Sequence, residues 1–191
     1  MKTITDGGTV RKLWLADRGA FRDHLLRLDP ISRHQRFAMG ASDDFVIRYA
    51  ETSFNLDTLI HGWFADDRLV GAGELRGLPQ NAKEAEAAFS VEADWQLKGV
   101  GSALMEKTLL AARNRRIRRV YMNCLASNRH MQRLARRFGA ELEFESGDVV
   151  GLVLPDGPTP GSYFREAVAD AHGWTTAIFD LQRRMVAPTR A

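Results

Sequence analysis

Cysteine and long apolar runs are scarce in this sequence. Among its 191 residues there is one cysteine, Cys124, and no continuous apolar run approaches the roughly 18 residues that a membrane span needs. One cysteine excludes an internal disulfide and a cysteine-based metal cluster, and the five histidines show no His-x-x-x-His spacing. We therefore expect no metal. The N-terminus lacks the apolar core of a secretory signal, which predicts a soluble, cytoplasmic protein.

Positive charge exceeds negative charge only slightly, with a formal net charge of +3. The excess is concentrated in the stretch RNRRIRR, Arg113–Arg119, and in Arg133, Arg136 and Arg137. Arginine clusters can bind nucleic-acid phosphates, but no aromatic residues interleave with these and no zinc-finger or helix-turn-helix signature accompanies them. Such runs are more typical of solvated faces. A nucleic-acid-binding protein is therefore a rival hypothesis that the sequence does not favour, and no membrane partner is expected.

Repeats and low-complexity tracts are also absent, and a 45% hydrophobic composition is enough for one sizeable core. We assign residues 1–155 to one domain and the Pro/Gly-rich residues 156–161 to a linker. Residues 162–191 are predicted to form an amphipathic helix, packed on its own domain or on a partner in a homodimer. Its apolar stripe comprises Phe164, Ala167, Ala171, Trp174, Ile178, Leu181 and Met185.

Hydrophobic periodicity predicts the order strand, helices, three strands, helix, strand, helix, two strands, a mixed α/β sheet within one domain. Residues 84–91 could be helical by propensity, but we interpret them as a strand, because the turn that follows makes sense as a strand-to-helix connection. The predicted strands cover residues 10–16, 58–65, 68–77, 84–91 and 118–126 and a hairpin over 141–155. The predicted helices cover residues 17–29, 31–37, 43–53, 100–114 and 128–140.

A glycine pair lies between that strand and the next helix, in the stretch VEADWQLKGVGSALM. Gln96, Gly99 and Gly101 form a Q-x-x-G-x-G pattern. A helix N-terminus offers unsatisfied N–H groups and the positive end of the dipole, and glycines remove side chains that would block a phosphate. The spacing is neither that of a nucleotide-hydrolysing P-loop nor that of a dinucleotide fold. Tight-turn glycines without a ligand are the alternative.

Three stretches, FSVEADWQLKGVGSALM, VYMNCLASN and NRHMQRLARRFGA, resemble in order and spacing the acetyl-CoA-binding core of the GNAT N-acetyltransferases. LDPISRHQRF, EAEAAFSVEADWQ and NRHMQRLARRFG further resemble the catalytic domain of bacterial Pat-type protein-lysine acetyltransferases. The resemblance implies a mostly antiparallel twisted sheet of about seven strands flanked by helices, with the C-terminal helix as an addition. It implies acetyl-CoA as co-substrate. The implied CoA-binding residues are Phe89, Ser90, Val91, Gln96, Lys98, Gly99, Val100, Gly101, Ser102 and Asn128.

The resemblance also assigns a general base. A lysine amine is mostly protonated at neutral pH and must lose a proton before it attacks a thioester. Glu86 matches the acidic position of the family's fourth strand, on the same face as Ala88 and Ser90; Glu84 and Glu92 are weaker alternatives. Many GNAT enzymes have a tyrosine that protonates the leaving thiolate, but here that position is Ala135. Tyr121 or Ser127 could replace it, or the thiolate could leave without a donor.

The aromatic residues Phe37, Phe54, Trp63 and Phe64 could line an acceptor pocket, although such residues are more often core. Cys124 is interpreted as a small buried hydrophobe and not as a nucleophile. The predicted function is transfer of an acetyl group from acetyl-CoA to a primary amine, on a protein lysine or a small molecule, by direct attack with general-base assistance. The alternative is a non-catalytic acyl-CoA-binding regulatory module, and a longer acyl donor is also left open.

Overall fold

The structure is a computed structural model that describes residues 7–145 and 147–171. In this part of the chain a single sheet has the strand order β1-β2-β3-β4-β5-β7-β6, antiparallel except for the parallel pair β4 and β5. The strands are β1 Thr9–Lys12, β2 Thr58–Ala65, β3 Arg68–Leu78, β4 Asn81–Val91, β5 Arg119–Leu125, β6 Glu141–Glu145 and β7 Asp148–Val153. The helices are α1 Arg18–Leu26, α2 Pro30–Phe37, α3 Asp43–Thr52, α4 Val100–Asn114, α5 Arg129–Arg137 and α6 over residues 160–171. The predicted fold class and the strand assignment of residues 84–91 are confirmed.

Turn and cap chemistry explains where several elements begin and end. Asp66 and Asp67, both at positive φ, form the two-residue turn between β2 and β3. The Asp29 carboxylate accepts the N–H groups at the start of α2, and Pro30 occupies the first helical position. Gly139 follows α5 with φ of 81°, a left-handed conformation typical of a helix stop.

The two faces of the sheet are covered by different helices. Alternating residues of β3 and β4 such as Leu75 and Ala87 pack with α4 and α5, in a cluster that includes Met105 and Ala135. The intervening residues of β2 and β3, such as Ile60 and Ala72, pack with α1 and α3. This period-two alternation places Glu86, Ala88 and Ser90 on the face that α1 to α3 cover.

Several boundaries differ from the predictions, and the clearest differences are at β1 and β4. The first strand ends at Lys12, and Leu15–Asp17 form a 3₁₀ turn. The turn brings the Asp17 carboxylate back to the Arg11 guanidinium, which donates two hydrogen bonds to it, each of 2.8 Å. The loop predicted over residues 78–83 is shorter, since β4 begins at Asn81. The predicted aromatic set belongs to the core: Trp63 and Phe64 are buried, and Phe37 and Phe54 pack against the α1–α3 cluster.

Helix α6 contacts the end of α4 through polar groups. The Ser162 hydroxyl donates to Asn114 Oδ1, and Glu166 accepts from Asn114 Nδ2 at 2.6 Å and from Arg115 at 2.7 Å. Phe164, Ala167 and Ala171 of the predicted apolar stripe are exposed, whereas Trp174, Ile178, Leu181 and Met185 lie outside the described residues. Among the described residues, no helix is long and apolar enough to cross a membrane.

Candidate active site

Strands β4 and β5 pair over only three positions and then separate. Glu84–Glu86 of β4 are in register with Arg119–Tyr121 of β5, and pairing stops beyond them. A cleft of about 640 Å³ opens between the separated strands. Residues 87–91 line one side, and Asn123 and Cys124 line the other. The cleft therefore begins directly after Glu86.

Main-chain groups of β4 face this cleft. The Glu92 N–H donates to the Val70 carbonyl of β3 at 3.0 Å, so the strand's alternation turns the main-chain groups of Phe89 and Val91 the opposite way. Gln96 Nε2 reaches the Val91 carbonyl at 3.0 Å from that side. Because β5 has moved away, this edge of β4 can pair with an extended ligand as a sheet edge pairs with a strand.

The far end of the cleft is a helix N-terminus. Gly99, at φ of 91°, is the N-cap of α4, and Gly101 and Ser102 line the cleft beside it. The side chain of Val100 is buried in the core, so only its main chain is available to a ligand. The Lys98 ammonium lies 5.3 Å from the Trp95 ring centroid. First-turn N–H groups without a side chain in front of them form an anion site.

Helix α5 supplies a basic wall next to this N-terminus. His130, Arg133 and Arg137 line the cleft, and Arg133 lies 3.0 Å from the His130 ring nitrogen. Asn128 also lines the cleft, and its side-chain oxygen caps α5 by accepting the Met131 N–H at 3.0 Å. The positive charges complement a polyanion bound at the α4 terminus.

Helix α2 closes the cleft from the other face of the sheet. Ser32, Gln35 and Arg36 line it, and Gln96 Nε2 lies 3.0 Å from Ser32 Oγ. Arg36 is held by the buried Glu74 carboxylate and by the Tyr49 hydroxyl. Although burial disfavours the Arg36 cation, the Glu74 charge keeps its pKa above the ordinary value. Burial and the same carboxylate raise the pKa of Tyr49.

Glu86 lies at the fork where the two strands part. It is half-buried, and Asn123 Nδ2 on β5 donates to its carboxylate at 3.2 Å. Its register neighbours are Arg76 on β3 and Tyr121 on β5. A carboxylate with one hydrogen-bond donor at the end of a cleft has lone pairs left to accept a proton.

The two other candidate carboxylates are bound to cations. Glu84 pairs with Arg119 where β4 and β5 are still joined. Glu92 accepts from Arg27 Nε at 3.0 Å, from Arg68 and from His24. Burial would raise the pKa of Glu92, but the His24 and Arg27 hydrogen bonds outweigh it and lower the pKa to about 2. Glu92 is therefore not arranged to accept a proton near neutral pH, and the Glu84 carboxylate is occupied by its ion pair with Arg119.

A buried histidine connects Glu92 to the wall of the cleft. His24 is completely buried on α1, with Nδ1 at 3.2 Å from Glu92 Oε1 and Nε2 at 2.9 Å from Ser90 Oγ. Burial lowers the pKa of His24, against the opposing effect of Glu92, so the imidazole is neutral near pH 7. The ionised carboxylate can only accept, so Nδ1 carries the proton and Nε2 accepts from the Ser90 hydroxyl.

The cleft brings together most of the residues predicted from the sequence. Those that line it are Phe89, Ser90, Val91, Gln96, Gly99, Gly101, Ser102 and Asn128; Glu86, Lys98 and Val100 adjoin it without lining it. The polar residues of the site that the sequence did not reveal are His24, Ser32, Gln35, Arg36, Asn123 and His130. Cys124 is buried, and burial raises the pKa of its thiol. In the described ranges, no group of His, Cys, Asp and Glu is arranged to hold a metal.

Comparisons with known proteins give a family and a fold. The model of the acetyltransferase (GNAT) family matches residues 23–140, more than half of the chain. A search of curated proteins returns no match.

Solved structures resemble the fold at low sequence identity. The GNAT domain of S. lividans PAT aligns at 22% identity and a TM-score of 0.67, over 76% of this chain and 89% of that one. An N-acetyltransferase from Staphylococcus aureus Mu50 aligns at 16% identity and a TM-score of 0.59, over 79% of this chain and 100% of that one. PaiA N-acetyltransferase from Thermoplasma acidophilum, in complex with coenzyme A, aligns at 19% identity and a TM-score of 0.59, over 77% of this chain and 98% of that one.

Proposed function

The chain belongs to the GNAT family and is an acyltransferase that uses acetyl-CoA, and from that premise we propose that it acetylates a primary amine by direct attack on the thioester. The observation that carries the proposal is the cleft between β4 and β5, which has an anion-binding helix terminus at one end and Glu86 at the other. A long, polyanionic thioester fits such a cleft, with its phosphates at α4 and its acyl group toward the fork.

The CoA moiety is proposed to bind mainly through the main chain. The amides of residues 98–102 receive the pyrophosphate at the α4 terminus, with Gln96 beside them. Phe89 and Val91 pair with the pantetheine amides, Ser90 lies along the same arm, and Asn128 contacts it from the opposite wall. Arg133 and Arg137 are the candidate partners of the remaining phosphate.

Glu86 is proposed as the general base. The acceptor amine arrives protonated, since a lysine amine has a pKa near 10.4, and it becomes nucleophilic only after losing a proton. Glu86 is half-buried at the fork and retains free lone pairs, whereas Glu84 and Glu92 are bound to arginines. It takes the proton directly or through water, and β4 N–H groups that face the cleft polarise the carbonyl oxygen.

The acceptor is proposed to be a protein lysine or a small-molecule amine. The structural likeness to a PAT domain supports the first, and the open cleft admits either. We further propose residues 1–155 as the catalytic domain, with residues 156–161 as a linker. The exposed apolar side chains of α6, Phe164 and Val168, are consistent with packing against another copy of the chain.

The test is amine-dependent release of the CoA thiol by the full chain. Acetyl-CoA is incubated with polyamines, amino acids, aminoglycosides and lysine-bearing proteins, and the acetylated product is identified by mass spectrometry. We expect at least one amine to accelerate thiol release with one amide formed per thiol. Binding of acetyl-CoA without amine-dependent release on any acceptor would contradict the proposal and would favour a regulatory module.

A further inference from the structure

The sheet face on which Glu86 lies continues past the fork, across β5, β7 and β6. Glu86 is in register with Tyr121 of β5, and Tyr121 is in register with Leu152 of β7. Leu152 is in turn paired with Glu141 of β6, the last strand of the sheet. Directly paired residues share a sheet face, and three strand spacings amount to about 14 Å. An acceptor whose amine reaches Glu86 from this face therefore has room to extend as far as β6.

Within residues 7–145 and 147–171, the helices leave this part of the face uncovered. On the opposite face, Met122 and Val153 are buried in the cluster that includes α4 and α5. On the Glu86 face, the cluster formed with α1 and α3 packs on β2 and β3, and Tyr121, Val150 and Leu152 are only half-buried. These three side chains form a largely apolar strip that a bound ligand can cover.

Carboxylates border this strip on β6 and at the start of β7. The sequence ELEFE of β6 alternates, so Glu141, Glu143 and Glu145 lie on the face of the strip. Leu142 packs in the core on the other side. Asp148 is paired with Glu145 and adds a fourth carboxylate. All four are exposed, and in the described part of the chain none of them has a cationic partner within ion-pair distance.

Positive charge is concentrated on the other side of the cleft. Arg133 and Arg137 of α5 belong to the wall that is proposed to receive the CoA phosphates. The charge of Arg36 is balanced by its buried ion pair. Arg76 is in register with Glu86 on β3, on the side of Glu86 away from the four carboxylates. The two sides of the fork are therefore matched in charge to a polyanion and to a cation, respectively.

We propose that this face docks a basic segment of a protein, so that the acceptor is a lysine flanked by further arginines or lysines. The surface formed by the apolar strip and the four carboxylates is called the acidic face below. The inference rests on the proposed acetyl transfer and specifies its acceptor.

The dimensions of the acidic face favour a polypeptide over a linear polyamine. The carboxylates extend to about 14 Å from Glu86 across the strands and over about 13 Å along β6, from Glu141 to Glu145. A polyamine holds its charges on one line, whereas an extended polypeptide advances about 3.3–3.6 Å per residue and projects side chains to both sides of its backbone. Arginines about four residues from the acceptor lysine therefore reach the carboxylates. Their aliphatic stems cover the apolar strip while their charged ends remain in water.

The first test compares two peptides that are blocked at both ends and contain one lysine each. The basic peptide carries two arginines on each side of the lysine, and the neutral peptide carries serines instead. With the full chain at about 50 mM salt, kcat/KM from CoA thiol release should favour the basic peptide about tenfold, since each exposed charge pair contributes a factor of about two to five. Raising the salt to about 300 mM should remove most of this preference, because screening weakens exposed charge pairs.

The decisive variant removes the three β6 charges together, as Glu141→Gln, Glu143→Gln and Glu145→Gln. We expect its preference for the basic peptide to fall to within about twofold. Its kcat/KM for the neutral peptide and its Kd for acetyl-CoA should stay within about twofold of the wild type, since neither depends on charge at β6. A matched control, which should keep the wild-type preference, removes the same charge at exposed positions outside the acidic face, by Glu51→Gln, Asp57→Asn and Glu106→Gln.

Binding is measured separately from turnover, by fluorescence anisotropy of the labelled basic peptide on the full chain saturated with CoA. We expect the Kd for this peptide to rise about tenfold in the β6 variant, because three exposed charge pairs are lost. The control variant should bind the peptide as the wild type does.

The outcomes are distinguishable from failure of the proposed function. If no amine accelerates thiol release, acetyl transfer itself is contradicted, and this inference with it. If an amine is turned over but the basic peptide is not favoured, or if its preference survives in the β6 variant, the docking surface alone is overturned. Spermidine used as well as the basic peptide, with the same loss in the β6 variant, would contradict the choice of a polypeptide. An equal loss in the control variant would reduce the effect to overall charge and overturn the proposal.

Discussion

The two ends of the cleft differ in the chemical groups that they offer to a ligand. At the α4 end the candidate ligands are mainly backbone N–H groups of one continuous turn, exposed because Gly99 and Gly101 have no side chains. At the fork the candidate groups are side chains from separate elements: Glu86 from β4, Asn123 from β5 and Arg36 from α2. The difference implies that mutations can separate binding from chemistry, since each end can be altered while the other keeps its groups.

The largest expected effect is at the fork. We expect Glu86→Gln to lower kcat about 10²- to 10⁴-fold, because general-base catalysis is lost, while the Kd for acetyl-CoA changes less than about twofold. The matched control is Glu84→Gln, two residues earlier on the same strand face, where the carboxylate pairs with Arg119. Steady-state kinetics with calorimetric titration of acetyl-CoA measures both constants. Equal losses of kcat in the two variants would contradict the role of Glu86 as the general base.

The α4 end should show the opposite pattern in Gly99→Ala. Both Gly99 and Gly139 have positive φ, at 91° and 81°, so alanine at either should cost about 1–2 kcal/mol of folding free energy. Of the two glycines only Gly99 lines the cleft. A shift of its backbone should weaken acetyl-CoA binding about 10- to 100-fold, because one charge-assisted hydrogen bond to the phosphate would be lost. Urea denaturation and calorimetric titration of both variants provide the comparison. Weakened binding in Gly139→Ala would show that strain alone explains the loss.

A smaller change, Gly101→Ala, should move stability and binding in opposite directions. A Cβ at Gly101 meets only the tip of Leu134, at 3.4 Å, so the helix accepts it. Alanine is favoured over glycine inside a helix by up to about 1 kcal/mol, so the melting temperature should rise slightly. Because Gly101 lines the cleft, the added methyl should narrow it beside the proposed phosphate position, and Kd should rise about tenfold. An unchanged Kd would place the phosphates away from this turn.

The smallest effect on binding and turnover concerns His61, which lies outside both ends of the cleft and acts on stability. Burial, reinforced by nearby cations of which Lys107 is foremost, lowers the pKa of His61 to about 3, and its Nδ1 has no hydrogen-bond partner in the described part of the chain. Between the unfolded pKa of about 6.5 and the folded value, the unfolded state binds one more proton. Stability should therefore fall as pH drops below 6.5, by about 1.4 kcal/mol per pH unit.

The variant His61→Gln should flatten that dependence without changing kcat at pH 7.5. Urea denaturation of the wild type and the variant from pH 7.5 to pH 5 measures the two slopes. His24 titrates in both proteins and cancels in the difference. Identical slopes would show that His61 is accessible to solvent protons in the folded state. A large change in kcat would link this region to the cleft.

The contrast between the two ends also explains which parts could be predicted from the sequence. The α4 end is one contiguous segment, so its preceding strand, its glycine turn and its helix could all be predicted from one stretch of sequence. The regular elements were predictable for the same reason, since hydrophobic periodicity is local. Where a side-chain contact outside the hydrophobic pattern decided the outcome, as when Asp17 binds Arg11 six residues earlier near the end of β1, the predicted strand was too long.

The fork could not be predicted in this way. His24 precedes Ser90 by 66 residues, and Asn123 follows Glu86 by 37. Only the parallel register of β4 and β5 and the packing of α1 bring these groups together. The resemblance alone ranked Glu86 ahead of Glu84 and Glu92, because the physical difference between the three carboxylates lies in cross-element partners such as Arg119 and Arg27.

The most direct test of the central claim, that the separated strands and the α4 turn together hold acetyl-CoA, is an NMR titration of the ¹⁵N-labelled chain with acetyl-CoA. We predict the largest amide shifts at Phe89, Val91 and residues 98–102, with smaller shifts along α5. Saturable shifts confined to other surfaces, such as the arginine-rich residues 113–119, would contradict the account.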